Sequence, residues 1–257
     1  MALIHCDFYS EVLGVVTSMN VILPQKMISQ ADSHKKEKYP VLYLLHGLTD
    51  NYTGWQRKSS IERYVSEMGL AVIMPDAGRS FYTDMKHGYK YFTFITEELP
   101  KIAKQFFPIS DEREDTFVAG LSMGGYGAFK LALSCPEKYA AAASLSGALD
   151  MVYRIKSNEI EDTSEIENIL GDLNSIENSK NDLFYLTKQV IASEGPKPKL
   201  YQCCGTEDFL YKDNQNFKSF IENSSLYYTY QEGPGAHEWI YWDAEIQKVL
   251  KWLPINK

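Results

Sequence analysis

Nothing in this chain is apolar for long enough to span a bilayer. Its longest apolar runs, such as "VLYLL" and "YAAAASL", fall far short of the roughly 20 residues a membrane helix needs. The first residues, "MALIHCDFYSEV", hold no basic segment followed by an apolar stretch, so they do not read as a secretory signal. A cytoplasmic protein with no membrane partner is the expectation. Basic residues are also in short supply: 26 Lys and Arg stand against 34 Asp and Glu, a net charge of −8. A nucleic-acid partner asks for a basic face, so none is expected.

Cysteines are few. Cys6, Cys135, Cys203 and Cys204 make no disulfide framework in 257 residues, and their spacing fits no zinc site. Buried, reduced thiols are expected. H-E-x-x-H, C-x-x-C and the Walker glycine loop are all missing, which leaves no metal and no cofactor to expect. Repeats and low-complexity segments are missing too.

What is present is the composition of an ordinary globular protein, 44% hydrophobic, enough for a core without staples. The first part, residues 2–24, reads as two or three strands, followed by a polar loop over 30–39. Five short apolar runs follow, at 40–47, 70–77, 115–122, 139–147 and 198–205, too continuous for half-exposed strands. Between them, 54–69, 91–107 and 124–139 carry apolar residues at three- and four-residue spacing, as amphipathic helices do. The alternation implies an α/β fold: a mostly parallel sheet with antiparallel N-terminal strands and helices on both faces. It breaks once, over 150–197, where the chain is polar and acidic with helical stretches but no strand. That insertion is either a cap over a site or a solvated excursion. A helix over 212–224, a strand over 226–233 and a closing helix over 239–253 complete a single domain, 1–257.

Four glycines crowd around one serine at the start of the third helix. "GLSMG", 120–124, fits G-x-S-x-G, a strand-to-helix turn so tight that bulkier residues two before and two after the serine would collide. Ser122 is then held exposed at a helix N-terminus, while Gly125 and Gly127 would let the helix lie close to the neighbouring strand. A serine hydroxyl needs a base. Of His5, His34, His46, His87 and His237, only His237 follows the serine, in a glycine-rich loop past the last expected strand. The orienting acid belongs between them. Asp208, just past the 198–205 run, suits a buried bond to His237 better than Glu207; Glu207 and Asp213 are neighbours that could substitute. An oxyanion in the transition state needs backbone N–H donors. Met123 supplies one and Leu48, after the permissive Gly47, the other; His46 reads as a structural hydrogen-bonding residue.

In "YLLHGLTDNYTGW", "PDAGRSFYTD", "AGLSMGGYGAFKLAL", "CGTEDFLY" and "GAHEWIYW", spanning 41–242, the chain resembles the esterase D superfamily. That superfamily takes in S-formylglutathione hydrolases, feruloyl and acetyl-sugar esterases and mycolyltransferases. The resemblance is greatest to the small bacterial tributyrin esterases. The segment around the first loop departs from that of formylglutathione hydrolases, which is longer and differently worded. The likeness implies an α/β-hydrolase fold, Ser122, Asp208 and His237 as a catalytic triad, and Leu48 as second oxyanion donor. It also implies short acyl chains, a small-molecule ester substrate and a possible homo-oligomer. Gly47, Trp55 and the 78–84 stretch would contact substrate, although core packing accounts for Trp55 equally well. The expected activity is that of a serine carboxylesterase working through an acyl-enzyme. An acyltransferase or a carbohydrate esterase would use the same groups, and a non-catalytic binding protein would typically have lost one of them.

Overall fold

The computed structural model describes residues 1–25, 38–160 and 162–255, so most of the polar loop expected over 30–39 lies outside the described residues. Eight strands make one sheet: β1 Ala2–Ser10, β2 Val15–Leu23, β3 Val41–Leu45, β4 Ala71–Pro75, β5 Thr116–Leu121, β6 Ala141–Leu145, β7 Lys199–Gly205 and β8 Tyr228–Gly233. They lie in the order β1-β2-β4-β3-β5-β6-β7-β8. β1 and β2 form an antiparallel hairpin, β2 runs antiparallel to β4, and every pairing from β4 to β8 is parallel. The N-terminal part thus holds two strands. The apolar runs outlast the strands by a residue or two because they include the turn residues that build the site.

Strand residues alternate between two cores, one on each face of the sheet. Val41, Tyr43 and Leu45 of β3 join one, Leu42 and Leu44 the other. This two-sided burial is why the strands read as unbroken apolar runs. The short helices α1 Gly54–Lys58 and α2 Ile61–Tyr64 cover one face, where the closing helix also packs. The expected single helix over 54–69 is split because Ser59 is extended and its Oγ donates to Trp55 O at 2.5 Å. Asp243 accepts the Ser60 N–H at 3.0 Å. Over 91–107 the helix runs as α3 Tyr91–Thr93, one π turn Phe94–Glu98, and α4 Leu99–Phe106. Pro100 has no N–H to offer Thr96 O, which Lys138 Nζ reaches instead at 3.1 Å.

Helix α5, Met123–Ser134, packs on β5 and β6 and is buried almost along its length. The strandless 150–197 stretch supplies α6 Met151–Lys156, α7 Thr163–Leu170 and α8 Leu183–Ala192. Each starts on an aspartate whose carboxylate accepts a first-turn N–H: Asp150 from Tyr153, Asp162 from Glu165, Asp182 from Phe184. Part of the acidity of this segment is therefore helix capping. Tyr126 Oη on α5 donates to Asn181 O at 2.8 Å, and Lys130 Nζ donates to Asn181 Oδ1, so α5 and the insertion are bonded together. Then come α9 Tyr211–Ile221 and α10 Trp239–Trp252. All four cysteines are free, but only Cys203 and Cys204 are buried; Cys6 and Cys135 are half-exposed. Among the described residues no helix is long and apolar enough to cross a membrane.

Lys130 is a charge inside a core, and its burial pulls the ammonium from 10.5 down to about 7. Between those values the unfolded chain holds a proton that the folded chain lacks, so this residue's contribution to stability rises with pH and is flat below about 7. Urea unfolding from pH 6 to 10 should show the native protein gaining on a Lys130→Met variant above pH 7. A constant gap across that range would refute the assignment.

Candidate active site

The site is assembled at the carboxyl ends of the parallel strands, where β5 turns into α5. Ser122 stands at the turn with φ 54° and ψ −119°, a left-handed conformation that a non-glycine residue adopts only when the surroundings enforce it. Its N–H is bonded to Leu145 O at 2.9 Å, and its carbonyl accepts from Gly125 N at 2.9 Å and Tyr126 N at 3.1 Å. A Cβ on Gly120 would lie 2.4 Å from Gly124 O, and one on Gly124 would lie 2.6 Å from Leu45 O. No side chain fits at either place. Gly125 lets α5 approach β6, since a Cβ there would come 2.6 Å from Ser144 Oγ. Gly127 instead faces the Tyr82 ring of the 78–84 loop, not the neighbouring strand.

His237 Nε2 lies 2.9 Å from Ser122 Oγ, and His237 Nδ1 lies 3.0 and 2.9 Å from the two carboxylate oxygens of Asp208. Asp208 is buried, and its Oδ1 also accepts the Leu210 N–H at 2.8 Å. The other two candidate acids are engaged elsewhere. Glu207 turns outward: Oε2 accepts the Gly235 N–H at 2.5 Å and Oε1 the Thr206 hydroxyl at 2.8 Å. The Gly235 bond holds its carboxyl below the usual carboxylate range. Glu207 thus fastens the loop that carries His237. Asp213 is fully buried on α9, and burial lifts its carboxyl to about 7, with Arg154 pulling the other way.

Leu48 and Met123 line the same cavity as Ser122, about 580 Å³ in volume, and among the described residues neither backbone N–H has a hydrogen-bond partner. Behind Leu48, the buried His46 ring is bonded through both nitrogens: Ala77 N donates to Nε2 at 3.0 Å, so Nδ1 carries the proton donated to Gly47 O at 2.8 Å. Burial keeps this imidazole below its ordinary pKa. Gly47 lies just behind Ser122; a Cβ on it would come 2.7 Å from Leu121 Cδ1. Trp55 does not line the cavity. Its indole is buried, donates to Leu45 O at 2.8 Å and meets Trp239 edge-on at 5.1 Å, so the core account of Trp55 holds and the substrate-contact expectation fails. From the 78–84 stretch, Arg79 and Phe81 do form cavity wall. The first half of the 150–197 insertion supplies the facing wall through Met151, Arg154 and Ile166. Sequence reasoning missed Arg154, which no motif marks, and Phe209, which lies inside the quoted "CGTEDFLY" stretch beside the more conspicuous Asp208.

A hydroxyl on a strained turn, bonded to an imidazole that a buried carboxylate orients, is an arrangement suited to acyl transfer. Residues 10–253 match the model of the Esterase family, described as "Putative esterase". The chain belongs to this esterase family. An acetyl esterase from Caldicellulosiruptor saccharolyticus is 32% identical over 265 residues, 98% of each chain. Two solved Staphylococcus aureus structures are each 36% identical to this esterase. The fluorophosphonate-binding serine hydrolase FphF, substrate bound, has a TM-score of 0.91 over 100% of this chain and 99% of its own. The S-formylglutathione hydrolase FrmB, as apoenzyme, has a TM-score of 0.88 over 99% of both. The esterase is a serine carboxylic ester hydrolase with the α/β-hydrolase fold.

The His46 bonds make a stability prediction. His46→Phe leaves the buried Ala77 N–H without its partner, while Gly47 O keeps the Asp50 N–H at 3.1 Å, so the loss should be about 1–3 kcal/mol in urea unfolding. A variant as stable as the native esterase would show that this ring does not organise the two loops.

Proposed function

We propose that the esterase hydrolyses short-chain acyl esters by a two-step mechanism in which Ser122 is the nucleophile. The observation carrying this reading is the continuous hydrogen-bonded chain Ser122 Oγ–His237–Asp208, whose serine lines the cavity. His237 Nε2 takes the Ser122 proton as Oγ attacks the ester carbonyl, and gives it to the oxygen of the departing alcohol. Asp208 holds the Nδ1–H tautomer and balances the imidazolium that forms. The N–H groups of Met123 and Leu48 receive the developing oxyanion. Water, activated by the same imidazole, then attacks the acyl-enzyme and releases the acid.

An apolar wall of Phe81, Met151 and Ile166 favours a small acyl group, and the acetyl esterase relative agrees with acetate as one such group. The same wall, built from its first half, supports reading the 150–197 insertion as a cap over the site. A carbohydrate ester is the second reading. It is favoured by the ion-paired Arg79 and Glu165 at the cavity, a polar pair suited to hydroxyl groups.

Ser122→Ala should lower turnover of p-nitrophenyl acetate by about 10⁴-fold or more and abolish labelling by a fluorophosphonate probe. Near-native turnover would remove Ser122 from the mechanism. Asp208→Asn should cost about 10⁴-fold by imposing the wrong tautomer, whereas Glu207→Gln should retain most activity. The reverse ranking would move the acid to Glu207.

A further inference from the structure

Phe209 follows the buried Asp208 directly, yet the residue is 64% exposed, at the cavity that Ser122 lines. It lies against the His237 imidazole with ring centroids 4.5 Å apart. The guanidinium of Arg154, on α6, sits 5.8 Å from the centre of the same ring. Arg154 is itself held: Nη2 donates to Glu159 O at 3.0 Å, and Nη1 lies 3.6 Å from Glu159 Oε2 and 3.7 Å from Asp213 Oδ2. Asp213 is fully buried, and among the described residues neither of its oxygens accepts a hydrogen bond. Burying a carboxylate is costly, and the nearby guanidinium offsets part of that cost.

The direction of proton transfer decides what this surface is for. His237 returns the proton to the departing oxygen, so the alcohol portion of the ester must lie on the histidine side of the tetrahedral carbon. The carbonyl oxygen points instead toward Leu48 and Met123. The exposed aromatic surface against His237 at the cavity is Phe209, with the Arg154 guanidinium over its ring. Resting on the acyl-enzyme reading above, we propose that Phe209 and Arg154 form the subsite for the leaving alcohol, and that Asp213 is a positioning residue that keeps Arg154 there. An aromatic face of this kind fits an alcohol that itself presents a flat or apolar face.

Because p-nitrophenyl acetate and ethyl acetate give the same acetyl-enzyme, the two halves of the reaction separate the roles. In stopped-flow kinetics with p-nitrophenyl acetate, Phe209→Ala should slow the burst phase about fivefold to tenfold, the scale of one aromatic contact. The steady-state phase, which reports hydrolysis after the alcohol has left, should change far less. The loss in kcat/KM should also be several-fold smaller with ethyl acetate. Asp213→Asn, which lies away from the imidazole, should shift the burst phase in the same direction, again with a smaller change in the steady state. Equal losses in both phases, or equal losses with both esters, would overturn the subsite. A native enzyme that never forms the acetyl-enzyme would refute the two-step mechanism itself.

Discussion

Where β5 gives way to α5, two stretches of backbone pass so closely that a single methylene on Gly120 would strike Gly124. Most of the site depends on that approach. It forces Ser122 into a left-handed conformation, turns its hydroxyl away from the sheet, and leaves the Met123 N–H at the start of a helix. The strain this stores is offset by bonds on both sides of the serine, to Leu145 and from the first turn of α5.

The remaining groups are delivered by the same parallel edge. The loops after β3, β7 and β8 bring Leu48, Asp208 and His237 to the serine, each at the end of a strand whose register is set by its neighbours. Their placement is fixed by bonds from residues beside them. The neutral His46 ring ties the first loop to the segment after β4, and Glu207 ties the turn after β7 to the loop after β8. Buried polar contacts of this sort contribute modest net stability, but they limit how far the site can relax.

Local constraints were legible in the sequence and long-range ones were not. The elbow could be read because its glycines are a backbone requirement written within five residues. The parallel sheet could be read because two-sided burial leaves unbroken apolar runs. His237 followed from being the only histidine after the serine, and Asp208 from its place past a strand. Trp55 misled because a large aromatic residue near a site loop serves a core as well as a pocket, and only the third dimension separates the two. Gly127 was assigned to strand packing because its true neighbour, Tyr82, belongs to a loop 45 positions earlier. The break at Ser59 is backed by a distant partner, Asp243, that no local pattern announces, and the carbonyl that Pro100 leaves open is taken by the equally distant Lys138. Arg154 and Phe209 meet only because α6 and the start of α9 fold side by side.

The adjacent carboxylates after β7 carry a further lesson about redundancy. Glu207 and Asp208 share a charge and a turn, but their side chains leave the backbone in opposite senses, one gripping the Gly235 amide and the other the imidazole two residues on. One fixes where the histidine stands, the other which way it faces. Reversing the dipeptide would preserve composition, charge and turn, yet set the longer arm in the buried slot and the shorter one short of the glycine. At this corner the order of two like-charged letters is information.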